Sequence, residues 1–123
     1  IYGGRGDPGT ATLLTIPPVG TDTLEFYDLS ENIDQFYQID ATTVPKTLRV
    51  QVDWAGASDI DILFCNAACG AYFPTPAVFG GATAAHPENA TVPYTVGGIG
   101  NLWVNLYDGT NPAWIRVRII RTL

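Results

Sequence analysis

The sequence predicts an all-β, jelly-roll-like β-sandwich of seven or eight mostly antiparallel strands. Three observations predict it. Apolar and polar residues alternate with a period of two in several segments, turn residues recur between them at roughly regular intervals, and no convincing helical segment is present. Composition agrees, with fourteen threonines beside thirteen glycines and nine prolines. Threonine suits a pleated, half-exposed surface, while glycine and proline punctuate it with turns.

Taken in order, Thr10–Ile16 reads as a first strand closed by Pro17-Pro18, and Thr23–Tyr27 as a short second one. A turn over Leu29–Asp34 leads into Gln35–Ile39. The clearest strand is Leu48–Trp54, where Leu48, Val50, Val52 and Trp54 share one side and Arg49, Gln51 and Asp53 the other. After the turn Ala55–Ser58 the pattern resumes, with Ile60, Ile62 and Phe64 opposite Asp59 and Asp61. Asn66–Pro93 is aperiodic and rich in Gly, Ala and Pro, which reads as a long surface loop with one short strand near Ala77-Val78-Phe79. Thr91–Val96 carries Pro93, which cannot donate to a ladder and so marks an edge strand. Asn101–Tyr107 and Trp114–Arg121 complete the set, separated by the turn signal Asp108-Gly109. The predicted core is Leu48, Val50, Val52, Ile60, Ile62, Phe64, Leu102, Val104, Leu106, Ile115, Val117 and Ile119.

At 123 residues the chain fits one domain, 1–123, with residues 1–16 an extension or donor strand. An apolar fraction of 46% is enough for a real core and argues against disorder. The chain begins at Ile1 and has no methionine, as expected of a processed product or an excised fragment. Its apolar runs are too short for a membrane span. Five arginines and one lysine face twelve acidic residues, a formal charge of −6. Nucleic acid, which needs a clustered positive surface, is excluded as a partner, and anionic lipid is disfavoured.

Cys65 and Cys69 are the only cysteines. Their C-x3-C spacing suits a small disulfide-closed turn in an oxidising compartment, the alternative being a reduced cytosolic pair. So short a loop gains only about 2 kcal/mol from loop-closure entropy.

Candidate chemistry is sparse. Asp53, Asp59 and Asp61 would suit Ca²⁺ if their two strands are neighbours, since hard oxygen ligands around a loop are what that ion takes. The plainer reading makes them the wet half of alternating strands, where charge also resists edge pairing. His86 is the single histidine, and neither Ser30 nor Ser58 has the context of a nucleophile, so no catalytic apparatus is expected. No other cofactor is implied. Arg5-Gly6-Asp7 spells an adhesion tripeptide too short to carry an argument, and Asn89-Ala90-Thr91 is a formal glycosylation acceptor. On the final strand Trp114, Arg116 and Arg118 share the polar phase, and Trp103 and Tyr107 do so on the strand before. Such residues anchor interfaces, although another part of the same chain could cover them.

From about residue 29 to 120 the chain resembles the bacterial pre-peptidase C-terminal domain family, small modules appended to secreted proteases. The resemblance rests on Asn32–Ile39, on Leu48–Trp54, on the serine-aspartate-x-aspartate strand Ser58–Phe64, on Pro87-Glu88-Asn89 and on Trp114–Val117. It implies a secreted β-sandwich that assists other proteins or binds a polymeric substrate without hydrolysing it. Calcium in some relatives lends weight to Asp59 and Asp61. The cysteine turn, the long loop and the N-terminal extension depart from the family pattern.

Two functions are expected to compete, both extracellular or at the cell surface. One is a structural subunit that assembles with copies of itself, lending the uncharged segment with Thr12, Leu14 and Ile16 to a neighbour's sheet and growing into a filament. Trp103, Tyr107 and Trp114 would then lie between subunits. The other is an accessory module that attaches a secreted hydrolase to its substrate.

Overall fold

The computed structural model describes residues 8–21, 25–29, 34–56, 58–80, 87–106 and 114–123. Nine strands occur among them, after a 3-10 turn at Pro8–Thr10. In chain order they are β1 (Thr12–Leu13), β2 (Glu25–Leu29), β3 (Gln35–Ala41), β4 (Lys46–Trp54), β5 (Ile60–Asn66), β6 (Phe79–Gly80), β7 (Glu88–Tyr94), β8 (Gly98–Leu106) and β9 (Trp114–Arg121). They make one five-stranded sheet, β1-β3-β8-β5-β6, and one four-stranded sheet, β2-β9-β4-β7.

The eight strands β2–β9 pair only antiparallel. Their interleaved orders, 3-8-5-6 and 2-9-4-7, are the arrangement of a jelly roll. β1 stands outside that arrangement. It joins the free edge of β3 in parallel, with Thr12 opposite Tyr37 and Leu13 opposite Gln38. The ladder is shorter than the predicted Thr10–Ile16 strand: the 3-10 turn runs to Thr10, and β1 ends at Leu13, before Leu14-Thr15-Ile16 and the prolines.

Alternate residues of the two inner faces meet in the core. Of the twelve predicted core residues, eleven are buried, and Leu106 at the end of β8 is half-buried against them. Each fully buried aliphatic side chain contributes about 1.5–3 kcal/mol relative to an exposed one. Tyr37, Ile39, Trp54, Val92 and Tyr94 complete the core, all at most 1% exposed. Leu14 reaches it from the N-terminal segment.

The largest departure from the sequence reading lies in the supposed loop Asn66–Pro93. The short strand expected near Ala77-Val78-Phe79 is present as β6, but the stretch also holds nearly all of β7, which begins at Glu88 rather than Thr91. β7 is an edge strand with Pro93 exposed, as that proline requires. β8 likewise starts earlier than predicted, inside the glycine run. A Cβ on Gly100 would lie 2.9 Å from Cys65 O and 3.0 Å from the Phe73 ring, so the glycine lets that ring cover the strand. Phe73 in turn packs 5.4 Å from Tyr94 and closes this end of the core.

Candidate functional site

The outer face of the five-stranded sheet carries an unusual set of side chains. Successive residues of a strand point to opposite faces, so the partners of the inward-facing core residues turn outward here. The pairing register arranges them in three rows. Phe36, Trp103, Leu63 and Phe79 lie side by side across β3, β8, β5 and β6. Gln38, Asn101 and Cys65 form the row on one flank, and Asn105 and Asp61 lie on the other.

Asp34, just before β3, completes the second flank. Its Oδ2 accepts from Trp103 Nε1 at 2.9 Å and from Asn105 Nδ2 at 3.0 Å, and its Oδ1 accepts from Leu106 N at 3.0 Å. One carboxylate thus fixes the indole and ties the start of β3 to the end of β8. The Phe36 and Trp103 rings stack with centroids 5.8 Å apart.

The opposite flank is roofed by a turn. Cys65 and Cys69 form a disulfide, and Asn66 Oδ1 accepts from Gly70 N at 2.9 Å. Buried Asn101 donates from Nδ2 to Asn66 O at 2.9 Å and to Ala67 O at 3.1 Å, pinning the turn on the sheet. Beyond it the chain presents Tyr72, which meets the exposed Phe79 edge-to-face at 5.4 Å. Between turn and indole lies a groove of about 410 Å³, lined by Cys65, Cys69, Gly70, Ala71, Tyr72 and Trp103. Sequence reasoning found Trp103 off the core face but missed Tyr72 and Phe79. Both sit in the aperiodic stretch, where alternation gives no signal.

The three aspartates considered for calcium do not gather. β4 and β5 belong to different sheets, so the condition that they be neighbours fails. Asp53 faces out from the four-stranded sheet, where Arg116 Nη2 lies 3.0 Å from its Oδ2. Asp59 and Asp61 remain together at the far flank of the aromatic row. Among the described residues no three His, Cys, Asp or Glu side chains converge as metal ligands.

Burial, and then the charge of Asp59, hold the Asp61 carboxyl above its ordinary range. A raised carboxyl keeps its proton in the folded state where the unfolded chain has lost it. Its contribution is therefore present below the unfolded value and is lost as pH rises through the folded one. Asp61→Asn is expected to raise the melting temperature at pH 7 and leave it unchanged at pH 3. A variant less stable at pH 7 would refute this. Melts with Ca²⁺ and with chelator complete the test, since a calcium-dependent rise that Asp61→Asn abolishes would assign the pair to a cation.

The other candidates fall in two places. Thr12 and Ile16 are half-buried and Leu14 is 5% exposed, all on the N-terminal segment against its own sandwich. Trp114, Arg116 and Arg118 lie half-buried on the outer face of the four-stranded sheet, opposite the Trp103 face. The predicted aromatics therefore do not share a surface. Tyr107, His86 and Arg5-Gly6-Asp7 lie outside the described residues.

Fold and site together define a disulfide-bearing, all-β jelly-roll sandwich with an aromatic outer face. No protein-family model matches the chain, and no curated protein is significantly similar to it.

Proposed function

We propose that the chain is a non-catalytic extracellular assembly subunit, in which residues 1–16 act as a donor strand to a neighbouring copy. The observation that carries this reading is that β1 is supernumerary. Eight antiparallel strands already complete the jelly roll, and β1 adds a ninth, parallel, on the open edge of β3. Its attachment includes two register pairs, a bond from Leu14 N to Gln38 O at 2.8 Å, the Leu14 side chain in the core and Ile16 packed against it. Thr12, Leu14 and Ile16 are spaced to insert on one face. Pro17-Pro18 follows this unit with a conformationally restricted backbone. Exchanging an identical element between copies keeps the same contacts while changing their owner, and exchange in one direction builds an open filament. The Cys65–Cys69 disulfide agrees with an extracellular setting.

Light scattering and electron microscopy over a wide concentration range test the reading. Intact protein should polymerise, whereas protein lacking residues 1–16 and the Leu14→Asp variant should stay monomeric. An intact chain that remains monomeric at every concentration would overturn it. The groove beside Trp103 favours a second reading, an accessory binding module of a secreted hydrolase such as the pre-peptidase C-terminal resemblance implies. A monomeric intact chain would leave that reading in place.

A further inference from the structure

We propose that the outer face of the five-stranded sheet binds a neutral polysaccharide, stacked on Trp103, Tyr72 and Phe79 and flanked by the hydrogen-bonding side chains of Asn105, Asp61 and Gln38. No lysine or arginine lies in its three rows, while Asp34 and Asp61 make its flank acidic. Anionic polymers, nucleic acids and acidic lipid headgroups are repelled by such a surface. A neutral ligand is not.

What the face offers is chemically specific. Tyr72 and Phe79 are 46% and 56% exposed, and Trp103 is half-buried between them and Phe36. Aromatic rings at a polar surface present a large apolar plane at little conformational cost. The axial C–H faces of a pyranose ring form an apolar plane of matching size, and its equatorial hydroxyls project sideways toward donors and acceptors. Here carboxylate and amide side chains border the aromatic row on both sides. A lipid or an apolar peptide would cover Gln38 and Asp61 without offering them hydrogen bonds, at a cost of about 1–3 kcal/mol for each group left unpaired, whereas sugar hydroxyls pair with them. The row crosses four strands spaced about 4.8 Å apart, so it spans more than one sugar ring.

The groove is also pre-formed. Asp34 holds the indole by a 2.9 Å bond, and Asn101 with the disulfide holds the turn that carries the chain to Tyr72. Rigid walls reduce the ordering cost of binding. A single sugar buries little, so useful affinity comes from several adjacent units, as in a polymer.

Tryptophan fluorescence titration of the intact protein with cellohexaose, laminarihexaose and mannohexaose tests the proposal, with a heparin hexasaccharide as the anionic comparator. At least one neutral hexasaccharide should give a saturable change in emission that is lost in Trp103→Phe. Tyr72→Ala/Phe79→Ala removes two exposed rings without touching the core and should weaken binding at least tenfold. No response to any neutral hexasaccharide, an unchanged affinity in the double variant, or a response to heparin alone would overturn it. The Tyr72→Ala/Phe79→Ala variant should still polymerise as the intact chain does, so the failure of strand exchange and the failure of glycan binding are separately visible.

Discussion

Asp34→Ala should destabilise the fold by about 2–4 kcal/mol, among the largest losses expected for a single residue outside the core. Hydrogen bonds to a charged group contribute roughly 1.5–3 kcal/mol each, and three converge on this carboxylate. They share one acceptor group that is half-buried, so the loss is smaller than their sum. Removing the carboxylate also leaves Trp103 Nε1 and Leu106 N without an acceptor. Asp34→Asn keeps the shape and one good acceptor and should lose about half as much. Urea denaturation measures both, and a loss below about 0.5 kcal/mol for the alanine variant would refute the assignment. Near-ultraviolet circular dichroism should change in parallel, because the Phe36–Trp103 stack depends on the same anchor.

Trp54→Ala is expected to cost about 3–5 kcal/mol, the usual range for deleting a buried aromatic. Trp54 is 1% exposed at the end of β4. Its Nε1 donates to Ser58 O at 2.9 Å, across the turn that carries the chain from the four-stranded sheet to β5. The side chain thus fills the core and fixes the passage between sheets. Trp54→Phe separates the two contributions. It keeps most of the volume, leaves Ser58 O without this donor, and should cost about 1–3 kcal/mol. If the two variants lose equal stability under denaturant, the hydrogen bond rather than the packing dominates. If the alanine variant loses less than about 1 kcal/mol, Trp54 does not carry the end of the core.

The alternation in Leu48–Trp54 and Asp59–Phe64 made the inner face of both strands legible, because burial on one side of a sheet imposes a period of two on the chain. Pro93 announced its edge for an equally local reason. The same rule could not see Tyr72 or the start of β8. There glycines and alanines leave no alternation, and what defines the segments is contact with Phe73 and Cys65 elsewhere in the chain. Nor could it pair strands. Asp53 and Asp61 look alike along the sequence, each on the polar phase of a strand, yet the sheet switch between β4 and β5 puts them on opposite outer faces. Their fates differ accordingly, one beside Arg116 and one beside Asn105.

By itself, then, the sequence determined the all-β class, the core face of the central strands and the disulfide turn. These follow from local periodicity and spacing. The tertiary structure decided the jelly-roll order, the supernumerary place of β1 and the aromatic row beside the disulfide. Those depend on which strands become neighbours, and neighbours in a sandwich are set by long-range pairing between segments far apart in the chain.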